Sequence, residues 1–378
     1  MTETSGERDL QLMRRALELA RLGLGTTAPN PSVGAVVADG ATGRIIAEGR
    51  TQPGGRPHAE TEALGKAGAG ARGATLYVTL EPCAHVGRTP PCADAVIAAG
   101  IGRLVAALAD PDMRVSGRGF KRMRAAGIAV EVGLEAEAAR WVALGHILRV
   151  TRNRPFIQVK VAVDANGLVP LGRAGQPLWV TGEKARERAH LLRAEADAIM
   201  VGSGTAAADD PELTCRLPGL EHRSPVRVVI GSRLRLQPSS KLARTAGRVP
   251  VWLIIDASRA AQEPAPALPA AVEVIAVDTD PGGWGRVDLR HAMRALAQRG
   301  ITRVLVEGGP TLIGALYDAD LIDELIVMRA PVTIGTDRGQ PPIGGRGLGL
   351  LANPDRWQRQ GEARLGPDIM LSFRRRSE

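Results

Sequence analysis

The chain has 378 residues, 44% of them hydrophobic, 24% charged and only 3% aromatic, a balance that excludes a disordered chain or a membrane bundle and a length that suits two domains better than one core. Three cysteines (Cys83, Cys92 and Cys215) are too few and too odd for a secreted disulfide scaffold, and the closeness of the first two suggests a metal or redox site. The net charge of +9 comes from 44 arginines and five lysines against 40 acidic residues, scattered without a basic block and with only two Tyr and three Phe for stacking on bases, so it predicts a solvated surface and no nucleic-acid partner.

Leu10, Met13, Leu17, Ala20 and Leu24 recur at helical spacing and predict an amphipathic first helix. After Asn30-Pro31, Ser32 to Ala38 reads as a buried strand, paired through Asp39-Gly40-Ala41-Thr42-Gly43 with a second strand near Arg44 to Glu48. Helix and strand then alternate: His58 to Ala67 helix, Thr75 to Leu80 strand, Cys92 to Ala99 helix, Arg103 to Leu108 strand, Gly119 to Ala126 helix, Ile128 to Val132 strand and a closing helix from Glu135 to Ile147. That alternation predicts an α/β sheet with helices on both faces. Thr151-Arg152-Asn153-Arg154-Pro155 is polar and ends in proline, which places a domain boundary there, giving domains 1–150 and 151–378. Beyond it, apolar runs at Phe156 to Val163, Ala198 to Val201, Val226 to Ile230, Val251 to Ile255, Val272 to Val277, Val304 to Val306 and Leu325 to Met328 are separated by helical stretches at Gly182 to Ala194, Asp288 to Gln298 and Pro310 to Tyr317. The second domain therefore also reads as α/β, with Glu263 to Pro269 and Gly339 to Gly349 as surface loops. No run reaches the ~18 to 20 apolar residues of a membrane-spanning helix, and Met1 to Asp9 is no leader peptide, so a cytoplasmic location is expected.

The chemistry concentrates in Pro57-His58-Ala59-Glu60, Glu81-Pro82-Cys83 and Pro90-Pro91-Cys92. One imidazole and two thiolates make three ligands for Zn²⁺ and leave the fourth position open, as a catalytic zinc requires. Glu60, two residues past His58 at a helix start, is placed beside the metal without ligating it, the arrangement by which zinc-dependent base deaminases shuttle protons. A lone H-x-E or a lone cysteine pair would carry little; the ordered set, with a proline before each cysteine, carries the assignment. His85 lies in the eight-residue insert between the cysteines; it could compete as a ligand but is expected to contact substrate or to stand behind the ligands. In the second domain, strand ends open into Gly202-Ser203-Gly204-Thr205 and Glu307-Gly308-Gly309-Pro310-Thr311. Glycines there allow close backbone approach and the following helix starts favour phosphate, but the usual G-x-G-x-x-G is absent, and these features alone do not separate a nucleotide site from two ordinary turns.

Thr75 to Cys92, Thr27 to Val37 and His58 to Leu64 resemble the deaminase half of the bifunctional RibD family of riboflavin biosynthesis. Arg154 to about Glu324 resembles that family's reductase half. The resemblance implies a cytidine-deaminase-like α/β/α domain followed by a dihydrofolate-reductase-like α/β domain, with Zn²⁺ and NADPH as cofactors and a phosphorylated pyrimidine as substrate. It implies deamination of 2,5-diamino-6-(5-phosphoribosylamino)pyrimidin-4(3H)-one with Glu60 as proton shuttle, then reduction of the ribosyl group to ribityl. It further implies cofactor contacts at Ala162, Trp179, Thr205, Asp209, Ser232, Gly309, Pro310, Thr311, Leu312, Ile313, Gly314 and Ala315, and substrate contacts at Arg193, Leu213, Arg216 and Glu307. Two segments depart from the family pattern: Asp110-Pro111-Asp112-Met113 where Asp-Pro-Asn-Pro is usual, and Asp164-Ala165-Asn166-Gly167 where Ser-Leu-Asp-Gly is common. A deaminase with a silent reductase half and an RNA-binding protein are the competing readings, and self-association as a homo-oligomer stays open.

Overall fold

The computed structural model describes residues 5–87, 89–171, 179–232, 236–260, 268–280, 282 and 286–376. The chain forms two compact units, Met1–Asn153 and Arg154–Glu378. The helix that closes the first unit runs on to Arg152, and Asn153 ends it in the left-handed conformation, φ 49°. The expected surface loop from Glu263 to Pro269 falls largely outside the described residues, as does Arg88 of the insert between the cysteines.

In the first unit, strands β1 (Gly34–Ala38), β2 (Ile45–Arg50), β3 (Thr75–Val78), β4 (Arg103–Ala106) and β5 (Ala129–Val132) form one sheet in the order β2-β1-β3-β4-β5. The hairpin β1–β2 and the β1–β3 pair are antiparallel; β3, β4 and β5 are parallel. Period-two alternation sorts the strand residues between two layers. Val36, Tyr77 and Val105 pack with helices α1 (Ser5–Leu22) and α5 (Ala136–Arg152). Val37, Leu76 and Leu104 pack with α2 (Ala59–Ala67), α3 (Cys92–Ala98) and α4 (Arg118–Ala125). The result is the expected α/β/α sandwich.

The second unit is built on nine strands in the order β11-β10-β9-β8-β12-β6-β13-β16-β15. They are β6 (Phe156–Val163), β8 (Ala198–Gly202), β9 (Val226–Ile230), β10 (Val251–Asp256), β11 (Val272–Val277), β12 (Arg303–Val306), β13 (Glu324–Arg329), β15 (Trp357–Leu365) and β16 (Asp368–Arg375). All are parallel from β11 to β13, and β16 and β15 extend the edge as an antiparallel hairpin. β7 (Val169–Pro170) and β14 (Gly339–Gln340) form a separate two-stranded ribbon. The central strands are mostly apolar because both faces are covered: α6 (Glu183–Ala194), α7 (Ser203–Asp209) and α8 (Lys241–Arg244) lie on one side, and α10 (Leu289–Gln298) and α11 (Pro310–Asp318) on the other. The short helix α9 (Ala257–Ala260) follows β10. The predicted surface loop from Gly339 to Gly349 is in part interior, since Ile343 is fully buried.

A buried ion pair starts the second unit. Arg154 donates through Nη1 and Nη2 to the two carboxylate oxygens of Asp323, each at 2.7 Å, and the Ile157 amide donates to the same carboxylate at 2.8 Å. Removing one partner strands the other charge in the interior, which costs about 3–5 kcal/mol. Asp323→Ala should lower the stability of the second unit by that amount in urea unfolding of the full chain, while Asp323→Asn, which keeps an acceptor for Ile157, should lose less.

Candidate active sites

Two helix starts and one strand end meet in the first unit. His58 is the N-cap of α2 and Cys92 the first residue of α3, while Cys83 lies in the loop after β3. His58 Nδ1 stands 3.2 Å from Cys92 Sγ and 3.8 Å from Cys83 Sγ, and all three donor atoms lie within 4.8 Å of one another. With Zn–N near 2.0 Å and Zn–S near 2.3 Å, the edges of a zinc tetrahedron run to about 3.5–3.8 Å, so this donor set fits the ion. The Cys92 amide donates to Cys83 Sγ at 3.3 Å. Hydrogen bonding from Cys92 and the neighbouring His58 bring the Cys83 thiol down to about 4. That thiolate, together with burial, pushes Cys92 up, and its hydrogen bond raises His58. One thiolate is thus prepared before any metal arrives, and the metal would ionise the second. Among the described residues, His85 is not part of the cluster and its buried Nδ1 has no hydrogen-bond partner.

Glu60, in the first turn of α2, is buried to 3% exposure. Burial dominates its environment and pushes its carboxyl up to about 7, against the opposing pull of His58. A carboxyl poised near neutrality can both accept and return a proton at working pH.

Sequence reasoning quoted Glu81 only as part of a motif, yet it anchors the metal-binding loop. Its Oε1 accepts from the Gly119 and Phe120 amides at 3.0 and 3.3 Å, and its Oε2 from Gly117 and Asp110 at 2.9 and 3.3 Å. The carboxylate so joins the loop before Cys83 to the start of α4. A side chain at Gly119 would place its Cβ 2.3 Å from the Pro82 carbonyl oxygen, so this approach needs glycine. The departure at Asp112-Met113 is accommodated locally: Asp112 accepts from the Arg114 amide at 2.9 Å and pairs with its guanidinium, while Met113 is exposed.

In the second unit, the carboxyl ends of β6, β8, β9 and β12 enclose a cavity of about 1100 Å³. The chain moves outward from β8 to β11 and then returns to insert β12 between β8 and β6, so the cavity opens where the strand order reverses, the usual ligand position in such sheets. Ala162, Thr205, Asp209, Ser232, Glu307, Gly309 to Ile313 and Ala315 line it. Thr205 Oγ1 accepts from the Gly309 amide at 3.0 Å, tying the two glycine turns together at the N-terminus of α11.

Other expected contacts lie apart from this lining. Gly314 faces the backbone of Gly344, where an added Cβ would come within 2.6 Å. Trp179 is 64% exposed and outside the lining residues. The Leu213 side chain belongs to the core, and its backbone is left-handed at φ 55°. Arg193 stands behind Glu307, donating to its carboxylate at 2.8 and 3.0 Å and to the Thr214 carbonyl at 3.0 Å. Arg216 is half exposed, 3.5 Å from Glu212, a contact of little energetic weight. Lys160, which sequence reasoning passed over, lines the cavity with its ammonium 3.1 Å from Glu307. Its signal is a lysine between valines in a mostly apolar strand. Burial would raise Glu307, but Arg193 and Lys160 overcome it and hold the carboxyl well below its usual range.

The metal assignment predicts about one Zn²⁺ per chain and its loss from Cys83→Ser or Cys92→Ser. Elemental analysis of the purified variants checks this; full zinc in both contradicts the ligand set.

Residues 6–108 match the family model of the cytidine and deoxycytidylate deaminase zinc-binding region, and residues 155–371 that of the RibD C-terminal domain. The riboflavin biosynthesis protein RibD of Escherichia coli K12 is 40% identical over 375 residues, covering 96% of this chain and 98% of that protein. Its counterpart in Haemophilus influenzae is 38% identical over 385 residues, covering 99% of each. Among solved structures, Acinetobacter baumannii RibD has a TM-score of 0.81 at 32% identity, over 98% of this chain and 99% of that one. The Thermotoga maritima diaminohydroxyphosphoribosylaminopyrimidine deaminase/5-amino-6-(5-phosphoribosylamino)uracil reductase has a TM-score of 0.82 at 32% identity, over 97% and 99%. Likeness that runs through both halves and across nearly the whole length of the relatives means that the chain belongs to the RibD family of riboflavin biosynthesis proteins.

Proposed function

We propose that the chain carries out two successive steps of riboflavin synthesis. The first unit hydrolytically deaminates 2,5-diamino-6-(5-phosphoribosylamino)pyrimidin-4(3H)-one, and the second reduces the ribosyl group of the product to ribityl with NADPH. The observation that carries this reading is the His58–Cys83–Cys92 cluster beside a buried Glu60, on a chain whose other unit opens a glycine-edged cavity at a sheet reversal. The substrate is a small phosphorylated pyrimidine, and a cytoplasmic location is part of the same proposal. Among the described residues no helix is long and apolar enough to cross a membrane. The RNA-binding alternative rests on net charge alone, and retention of Glu307 and both glycine turns speaks against a silent reductase half.

His58, Cys83 and Cys92 would hold a zinc ion, whose chemistry would be to acidify a water at neutral pH. Glu60 takes the proton of the attacking water, gives it to the ring nitrogen and assists the departure of ammonia. The residues lining the reductase cavity would hold NADPH, which would supply the hydride. The amides at the start of α11 and the Thr205–Gly309 bond position the cofactor's phosphates. Glu307, kept ionised between Lys160 and Arg193, offers a fixed acceptor to the substrate. Leu213 has its side chain committed to the core, so its backbone is what it presents. Arg216 grips the substrate phosphate, for which its planar fork is suited.

Glu60→Gln should retain zinc and lose most deamination while reduction of pre-deaminated substrate survives; deamination near the wild-type rate refutes the assignment. The same variant yields a pH test on metal-stripped protein. Because the folded carboxyl titrates near 7, above an unfolded value of about 4.3, its favourable contribution is present below pH ~4.3 and lost as pH rises through 7. Glu60→Gln should therefore match the wild type at pH 4.5 and exceed it at pH 8, by a margin on the order of 3 kcal/mol in urea unfolding.

Arg216→Ala should raise KM for the phosphorylated reductase substrate by one or more orders of magnitude, about tenfold per 1.4 kcal/mol, and leave deamination unchanged. Arg216→Lys should recover only part of the loss. Equal effects on phosphorylated and dephosphorylated substrate remove Arg216 from the phosphate site.

A further inference from the structure

We propose that His190 is a positioning residue for the reductive step: through a backbone hydrogen bond it fixes the segment that carries Arg216, and so sets where that guanidinium meets the substrate phosphate. This rests on the assignment of Arg216 to the phosphate.

His190 and Arg193 lie three residues apart on α6 and present to one side of the helix. Both grip the same stretch of chain from below. The Arg216 amide donates to His190 Nδ1 at 3.3 Å, and Arg193 Nη1 donates to the Thr214 carbonyl at 3.0 Å. Between strand β8 and strand β9 this stretch has no sheet partner of its own, and Leu213 within it holds a left-handed backbone. Arg193 is already committed to Glu307 through two further hydrogen bonds, so its position is set by the cavity wall. His190 extends that reference frame by two residues, to the backbone of Arg216 itself.

The bond requires an imidazole with Nδ1 unprotonated, which leaves the ring proton on Nε2. The surroundings enforce the neutral form. Burial, then Arg193 and Arg216, lower His190 to about 4, with Glu307 and the Thr214 backbone opposing. The acceptor is therefore in place throughout the range in which a reductase is assayed. A residue needed only to fill space would be as well served by an apolar side chain; one needed as an acceptor at Nδ1 would not.

The test is steady-state reduction by the full-length, zinc-loaded protein, with the pre-deaminated substrate in phosphorylated and dephosphorylated form. His190→Leu should raise KM for the phosphorylated form by about three- to tenfold, the effect of losing one hydrogen bond, with kcat, NADPH affinity and KM for the dephosphorylated form unchanged. His190→Asn, whose amide oxygen can stand near the position of Nδ1, should restore most of the loss. In an Arg216→Ala background, His190→Leu should add nothing further, because both act through one contact. If Arg216→Ala raises KM and His190→Leu does not, the inference falls and the phosphate assignment stands. If Arg216→Ala leaves KM unchanged, that assignment falls and takes the inference with it. Asparagine no better than leucine, or a joint loss of kcat and NADPH binding, marks a packing role and overturns the inference.

Discussion

Parallel strand pairing is the constraint on which both sites depend. A parallel ladder cannot be closed by a tight turn, so each strand must hand over to a crossover that returns the chain to the same edge. The carboxyl ends of strands and the amino ends of helices therefore collect together. In the first unit this brings the loop after β3, with Cys83, against the start of α3, with Cys92, and the start of α2, with His58. In the second it sets the turns after β8 and β12 side by side, close enough for Thr205 to accept from Gly309. The chemistry differs, but both sites occupy the edge where backbone amides point outward and negative charge is favoured.

Three buried glutamates illustrate how surroundings, not residue type, decide what a carboxyl does. Glu81 is surrounded by four backbone amides and serves as a strut. Glu307 sits between Lys160 and Arg193 and stays charged despite burial. Glu60 is opposed chiefly by His58, which falls short of the cost of burial, so burial dominates and its proton is held near neutral pH. The one suited to moving a proton is the one left least satisfied, in keeping with perturbed groups gathering at functional sites.

The first unit was legible in the sequence because its strands are short apolar runs bounded by turn residues and its ligands sit within fixed distances of one another along the chain. His58, Glu60, Cys83 and Cys92 needed no long-range pairing to be seen. In the second unit the decisive pairs are distant: Arg193 and Glu307 are 114 positions apart, and Arg154 and Asp323 169. No local pattern encodes such a pair. Lys160 was hidden inside a strand whose neighbours are apolar, and the β15–β16 hairpin was missed because β15 is an exposed edge strand carrying Gln358, Arg359, Glu362 and Arg364 where a buried strand would carry Val or Ile. Helix α7, seven residues long and rich in alanine, is too short to show periodicity.

The pairing of β6 also governs the order in which the polypeptide can acquire structure during synthesis. Everything the first unit needs has been made by Asn153. β6 follows at once, yet its sheet neighbours are β12 and β13, which begin at Arg303 and Glu324. Its row of apolar side chains and unpaired amides must wait through about 140 residues of translation, roughly 7 to 30 seconds at ordinary elongation rates, before the centre of the sheet can close. The Arg154–Asp323 pair waits longer still, across 169 positions. A ribosome-bound chain of this protein thus carries a finished amino-terminal half and an exposed, aggregation-prone strand directly behind it, the kind of intermediate that holdase chaperones engage.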